Sequence, residues 1–210
     1  MSILPTASPN ALEPVWELAT MYPYQGQWSE DAYLDLTEGA NRLIEFSDGK
    51  LEFLAMPTED HQDILLYLLD QLRAFVAAGD LGKVSFAGLR VRLRPGQVRE
   101  PDIVFLCKQN FDKRGARVWD AADLAVEIVS DDDQSRQRDY DQKLRDYAAA
   151  GVSEYWIVDP RDKKISVFVL PEGSNAYVEY GVFTPGQAAS SKLLAGLLVD
   201  VQAALDAGKV

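Results

Sequence analysis

Cysteine and histidine are almost missing from this 210-residue chain, which has one of each, Cys107 and His61. A single cysteine excludes an intramolecular disulfide framework and fits a reducing, cytoplasmic environment. Zinc sites built from Cys and His are excluded as well, unless carboxylates complete the ligand set. A bound metal would therefore have mainly oxygen ligands, which favours Mg²⁺ or Mn²⁺ over zinc.

Long apolar runs and an excess of basic residues are also missing. No stretch approaches the roughly 20 apolar residues that span a bilayer, and residues 1–10 lack the pattern of a signal peptide. The formal net charge is −12, which opposes the binding of duplex DNA through phosphate neutralisation. A nucleic-acid role would have to depend on a local basic patch and on metal ions at an acidic site.

The length and the distribution of proline predict one compact domain preceded by an arm. Residues 1–28 contain Pro5, Pro9, Pro14 and Pro23 and are interpreted as an irregular N-terminal arm with one short helix near 13–20. Residues 29–210 are interpreted as a single domain, because no repeat or linker interrupts them and they can bury a sizeable core.

Local patterns along this domain predict both strands and helices. Ser29 and Thr58 are typical helix caps, and Ser47-Asp48-Gly49 is typical of a hairpin turn between 42–46 and 50–55. Amphipathic helices are predicted from Thr58 to Gly79 and over 131–150. Strands are predicted at 84–87, 89–93, 103–107, 124–129, 154–158, 164–170 and 177–183, with a closing helix at 200–207. This order predicts an α/β (α+β) fold with a mixed β-sheet flanked by helices.

Two carboxylates occur beside or within strands that are otherwise apolar. Asp102 precedes Ile103-Val104-Phe105-Leu106, and Glu127 lies inside Leu124-Ala125-Val126-Glu127-Ile128. A buried charge is costly unless it is paired or binds a metal. Pro101 lacks an N–H, which places Asp102 at a strand start. Two alternatives stay open, because Asp102 could bind nearby backbone amides and a structural salt bridge could satisfy Glu127.

Glu45 and Lys143 are further candidates with less support from the residues alone. Glu45 lies in the predicted hairpin, where an exposed polar face explains it almost as well. Lys143 is related to Tyr140, Leu144 and Tyr147 by three- and four-residue steps, so it borders the buried face of its helix. The alternative is a lysine whose stem covers the core while its ammonium reaches solvent.

In this order the residues resemble the restriction-endonuclease-like PD-(D/E)XK nuclease superfamily and, within it, the Uma-two family of restriction endonucleases. The matching motifs are the Glu45 hairpin, His61 before a helix, Pro101-Asp102 and the Glu127 strand. The final motif, the family pattern Y…GV.EYW.VDP, is matched at nearly every position by Tyr147-Ala148-Ala149-Ala150-Gly151-Val152-Ser153-Glu154-Tyr155-Trp156-Ile157-Val158-Asp159-Pro160. The resemblance covers residues 29–198 and implies a restriction-endonuclease-like fold acting on DNA.

The resemblance also implies roles for individual residues. Asp102, Glu127 and the main-chain carbonyl of Ile128 would hold Mg²⁺, with Glu45 as an additional ligand. The metal would polarise a scissile phosphate and lower the pKa of an attacking water. His61 would lie near a phosphate, although a lone histidine at a helix start is more often structural.

One departure from the superfamily pattern concerns the catalytic lysine. The E-x-K motif would place it two residues after Glu127, where this chain has Val129. The family resemblance nominates Lys143 on the next helix instead. The Ser-Pro-Ser element of the family is also altered, to Ser130-Asp131-Asp132, which adds negative charge near the site.

Three arginines could contact a substrate. Arg90, Arg92 and Arg94 alternate along one predicted strand and share a face. Phosphates would offset their mutual repulsion, and so would the abundant acids of the protein, so both interpretations stay open.

These observations are compatible with three functions. The first is a metal-dependent DNA endonuclease, the second a catalytically idle nuclease-fold module for binding or assembly, and the third a magnesium-dependent hydrolase of a smaller phosphoester. The acidic charge and Val129 favour the second. A homodimer is expected, because two related sites most simply cut both strands, and because Leu193, Leu194, Leu197 and Leu198 exceed the apolar content that strands need.

Overall fold

A computed structural model describes residues 21–39, 42–130 and 132–209 of the chain. Most of the expected N-terminal arm, including its short helix, lies outside these residues. The described helices are α1 (Glu30–Thr37), α2 (Glu59–Ala78), α3 (Asp133–Gln137), α4 (Leu144–Ala149) and α5 (Val201–Asp206). The π-helical segment Arg138–Lys143 joins α3 to α4, so that the three form one continuous helix.

Twelve strands form three sheets within the described residues. They are β1 (Ile44–Ser47), β2 (Lys50–Phe53), β3 (Gly82–Phe86), β4 (Val91–Arg94), β5 (Gln97–Arg99), β6 (Ile103–Cys107), β7 (Leu124–Ile128), β8 (Glu154–Asp159), β9 (Lys164–Val169), β10 (Val178–Phe183), β11 (Ala188–Ser190) and β12 (Leu198–Asp200). The central sheet has the order β10-β9-β8-β7-β6-β3 and is antiparallel except for the β7–β8 pair.

The central sheet is covered by helices on both faces, which explains its nearly continuous apolar strands. Ile103 and Phe105 of β6 pack with α2 in one buried cluster, whereas Val104 and Leu106 pack with Tyr147 of α4 in another. Because successive side chains of a strand point to opposite faces, β6 must be apolar at both its odd and its even positions. The structure is therefore a three-layer arrangement of helix, sheet and helix.

Helix α2 begins and ends where its sequence predicts. Thr58 caps its start by accepting a hydrogen bond from the His61 N–H, and Gly79 follows its last residue. Its buried side chains recur at helical spacing: Ile64, Leu65, Leu68, Leu69, Leu72 and Val76. Burying each such side chain contributes roughly 1.5–3 kcal/mol, so α2 is a main anchor of the sheet and fixes the position of His61 in its first turn.

A second sheet with the order β2-β1-β5-β4 packs with α1. Its β1–β2 hairpin has the predicted turn, in which Asp48 and Gly49 adopt φ values of 46° and 82°. Strands β5, β11 and β12 were not predicted, because three residues carry too little periodicity to identify a strand. The expected strand 89–93 is found at Val91–Arg94.

The predicted α/β (α+β) fold, a mixed β-sheet flanked by helices, is confirmed. In the part of the chain that the structure describes, no helix has both the length and the apolar character needed to cross a membrane.

Candidate active site

A cleft of about 340 Å³ lies at one end of the strands of the central sheet. Because β6 and β7 are antiparallel, the start of β6 and the end of β7 lie side by side at this end of the sheet. The first turn of α2 and the π-helical segment close its sides. Five predicted site residues line it, namely His61, Arg90, Asp102, Glu127 and Lys143, whereas Glu45 and Arg92 are outside the lining.

Asp102 lies just before β6, and its side chain contacts β7 and the first turn of α2. Its Oδ2 accepts a hydrogen bond of 2.7 Å from the main-chain N–H of Ile128 and lies 3.2 Å from Nε2 of His61. The side chain remains 15% exposed to the cleft. Thus Asp102 both binds a backbone amide and faces the cleft.

His61 is held against Asp102 from the first turn of α2. Burial disfavours the protonated imidazole, but the hydrogen bond to Asp102 raises the pKa of His61 above its ordinary value. Its Nδ1 atom is buried and has no hydrogen-bond partner among the described residues.

Glu127 is buried on the face of β7 that packs against the helix carrying Lys143. The Tyr147 hydroxyl donates a hydrogen bond of 2.7 Å to Oε1 of Glu127, and Nζ of Lys143 lies 2.9 Å from Oε2. Burial raises the pKa of Glu127 to about 8, with Lys143 opposing this shift and Asp102 and Asp139 adding to it. The ionised carboxylate that these contacts require is therefore costly, and Lys143 is the cation that stabilises it.

Lys143 brings a buried ammonium to three carboxylates. Its Nζ lies 2.9 Å from Glu127, 3.3 Å from Asp139 and 3.7 Å from Glu45. Burial disfavours the charged form, but the carboxylates raise the pKa of Lys143 above its ordinary value. The side chain is 3% exposed, so its ammonium does not reach solvent. Its position against the Glu127 strand is the one that the helical spacing predicts.

Glu45 lies behind the cleft in a fully buried ion pair. Its Oε2 is 2.6 Å from Nη1 of Arg99, and its Oε1 accepts a hydrogen bond from the main-chain N–H of Glu100. Burial opposes ionisation, but Lys143 and Arg99 lower the pKa of Glu45 to about 2. Both oxygens of Glu45 are thus bound, and its Oε1 also lies 3.7 Å from Nζ of the cleft residue Lys143.

The strand arginines are ion-paired within the protein. Arg90 binds Glu100 at 3.3 Å and the main-chain carbonyl of Thr37 at 2.7 Å. Arg92 binds Glu30 at 2.5 Å and contacts Asp120. Internal acids therefore offset these charges, which is the alternative to phosphate binding that the sequence left open.

One comparison with known proteins shows the family. A family model described as "Putative restriction endonuclease", Uma2, matches residues 30–202. The chain belongs to the Uma2 family. A structure titled as a "putative nuclease belonging to DUF820 from Anabaena variabilis" has a TM-score of 0.69 and 18% identity, covering 89% of this chain and 99% of that chain. No curated protein matches this chain.

The family match confirms the resemblance found in the motifs of this Uma2 member. At 18% identity the structural similarity supports the fold, and the restriction-endonuclease-like architecture expected from the sequence is thereby confirmed. Asp102, Glu127 and Lys143, the positions nominated by the motifs, line one cleft in this fold.

The donor set at the cleft fits a divalent cation bound by few protein ligands. Asp102 and Glu127 supply carboxylates to the cleft, which Ile128 also lines. Buried Oδ1 of Asp139 pairs with Lys143 at 3.3 Å without a well-directed hydrogen bond. Among the described residues no group of three or more His, Cys, Asp or Glu forms a metal cluster. Mg²⁺ often binds through one or two carboxylates and retains water, so the residues fit that type of site.

Sequence reasoning missed several residues that shape the site. Asp139 precedes Lys143 by four residues, a spacing that pairs acids with lysines on one helix face, so a signal was present. Tyr147 was recognised as a packing residue only, although its hydroxyl binds Glu127. Arg99 gave no signal, because its partners Glu45 and Asp146 are distant in sequence.

Proposed function

We propose that this protein is a metal-dependent endonuclease that hydrolyses phosphodiester bonds of DNA. The observation that carries the proposal is the 2.9 Å contact between Lys143 and Glu127 in a cleft that Asp102 also lines. On this proposal Lys143 would replace, from a helix, the strand lysine that the superfamily pattern would have at position 129. Membership of the Uma2 family supports the same function.

Each residue would contribute a separate effect. Asp102 and Glu127 would hold Mg²⁺ or Mn²⁺, which activates a water and polarises the scissile phosphate when bound. Lys143 would then orient the water or offset the charge that develops on the phosphate. His61 would orient Asp102 through its Nε2, and Arg90 would border the substrate.

Plasmid and oligonucleotide cleavage with Mg²⁺ and Mn²⁺ tests the proposal. Glu127→Gln should abolish cleavage, because the amide cannot hold the cation or pair with Lys143. Glu179→Gln, on the exposed strand β10, is the matched control and should cleave as wild type. An active Glu127→Gln variant would contradict the proposal.

Two observations favour a binding module as the second candidate. Both oxygens of Glu127 are already bound by Tyr147 and Lys143, and the net charge of −12 disfavours duplex binding. This candidate predicts saturable binding of a ligand without turnover at any metal concentration. It replaces the first if purified wild type cleaves no nucleic acid.

We also propose a homodimer, since two related sites would cut both strands of a duplex. The leucines that first indicated an interface give it limited support, because Leu194 and Leu197 are buried in the chain's own core. Leu193 is partly buried, and Leu198, at 62% exposed, is the most accessible of the four. Light scattering at micromolar concentration tests this, and a monomeric mass would contradict it.

A further inference from the structure

One wall of the cleft is apolar and exposed, which a site for phosphate chemistry alone does not require. Leu54, Met56, Pro57 and Phe86 line it beside the polar floor. Met56 is 74% exposed and Phe86 is 50% exposed. Large apolar side chains left open to water beside a polar centre are typical of a ligand site.

Phe86 lines the same cleft as the candidate metal ligands and is attached through the sheet to the strand that follows Asp102. It is the last residue of β3, where it pairs with Ile103 of β6. The next residue, Ala87, donates a main-chain hydrogen bond of 2.9 Å to the carbonyl of Asp102. The aromatic wall and Asp102 are thus fixed to each other through the sheet and need no loop movement to meet.

The cleft is also lined by an exposed arginine. Arg42 lines the cleft and is exposed, and it has no ion-pair partner within residues 21–39, 42–130 and 132–209. Most other arginines in this part of the chain bind its own acids: Arg90, Arg92, Arg94, Arg99, Arg117, Arg136, Arg138, Arg145 and Arg161. Arg73 and Arg114 are the other arginines without an ion pair in the described residues, and neither lines the cleft.

We propose that the cleft binds one unpaired nucleotide of a DNA strand, with its base against Phe86 and Met56 and its phosphate towards Arg42. This inference rests on the proposed nuclease function and names its substrate as single-stranded or locally unpaired DNA. A volume of about 340 Å³ is at the lower end of the roughly 300–1,000 Å³ of small-ligand pockets.

The chemistry of the two walls distinguishes an unpaired strand from a duplex. A duplex presents mainly phosphates and sugars to a protein that does not enter its grooves, so it would leave the apolar wall uncovered. An unpaired base can leave its neighbours and stack on an aromatic side chain, which tolerates any base because each has a π-face. The acidic surface disfavours a long phosphate track but not one base and its phosphate.

Equilibrium binding in the Glu127→Gln background, with Mg²⁺ present, tests the proposal without cleavage. The two probes are a short oligothymidylate and a dumbbell duplex whose ends are closed by non-nucleotide linkers, so that it has no unpaired base. The oligothymidylate should bind more tightly than the dumbbell. Phe86→Ala should weaken oligothymidylate binding about 5- to 100-fold and leave dumbbell binding unchanged. Phe86→Trp, which keeps an aromatic ring at this position, should bind the oligothymidylate as wild type does.

Tyr180→Ala is the matched control. Tyr180 is 45% exposed on β10, at the opposite edge of the same sheet from β3, and its loss should not change binding of either probe. Equal binding of the two probes, or an oligothymidylate affinity indifferent to Phe86→Ala, would overturn the inference even if wild type proves to be a nuclease. Conversely, Phe86-dependent binding without any cleavage by wild type would refute the nuclease function and leave the nucleotide site standing.

Discussion

Two buried glutamates in neighbouring strands have opposite surroundings. Glu127 lies near the end of β7 and Glu154 begins β8, and because these strands are parallel the two residues lie towards opposite ends of the sheet. Glu154 accepts hydrogen bonds from Trp156 Nε1, the Ser191 hydroxyl and the main-chain N–H groups of 192 and 193, at 2.6–2.8 Å. Glu127 instead has one hydroxyl donor, one ammonium and several neighbouring acids.

The difference separates a structural carboxylate from a functional candidate. Neutral donors from a turn and an indole fully satisfy Glu154, so its burial holds residues 191–194 against the sheet. The charge of Glu127 is opposed by its neighbours, and burial with those acids raises its pKa to about 8. Strongly shifted pKa values in a cleft indicate functional sites, whereas burial alone does not.

The largest expected effect concerns the cation beside Glu127. Lys143→Met keeps the apolar stem and removes the charge, so cleavage should fall about 10²-fold or more, roughly 3 kcal/mol of transition-state stabilisation. Arg145→Met changes an exposed arginine two residues further along and should cleave normally. The measurement is the single-turnover rate for both variants, and normal cleavage by Lys143→Met would mean that the helix lysine is not catalytic.

Glu154→Gln should affect stability and leave chemistry unchanged. The amide group would face donors where a carboxylate oxygen now accepts, which costs about 1–3 kcal/mol for an unsatisfied buried group. Urea unfolding measures this loss, and the cleavage rate of the folded protein should match that of wild type. A loss of cleavage with intact folding would remove the distinction between the two glutamates.

The stabilisation by a bound metal should depend on the Asp102 and Glu127 end of the sheet and not on Glu154. Mg²⁺ or Mn²⁺ at about ten times its Kd should stabilise wild type by about 1.4 kcal/mol through mass action. Asp102→Asn should lose this stabilisation, and Glu154→Gln should keep it. Thermal unfolding with and without metal measures both, and a melting curve of wild type indifferent to millimolar metal would count against the site.

The last expected effect is a pH slope. A carboxyl whose pKa is raised on folding binds more protons in the folded state, so its contribution to stability is full below the unfolded pKa. That contribution is lost as pH rises towards the folded value of about 8. Between pH 5 and 8 wild type should therefore lose stability relative to Glu127→Gln, by at most about 1.4 kcal/mol per pH unit. Chemical unfolding across this range tests the sign, and a difference independent of pH would contradict the raised pKa.

Much of the local structure could be predicted from sequence, because caps, turns and periodicity act over a few residues. Thr58, Gly79 and Asp48-Gly49 mark boundaries that the structure reproduces. Helical spacing also placed Lys143 on the buried side of its helix, where it meets Glu127. These predictions succeeded because neighbours in sequence determined them.

The tertiary structure alone decided which charges meet. Arg92 binds Glu30 across 62 residues, and Arg99 binds Glu45 across 54, pairings that no local pattern specifies. The same is true of Phe86, an ordinary strand residue in sequence, which pairing with β6 places beside Asp102. The sequence by itself determined the elements and the residues with costly burial. Packing determined which of those buried charges are paired inside the protein and which lie at the open cleft. The reason is that electrostatic energy depends on distances between segments that are remote in the chain.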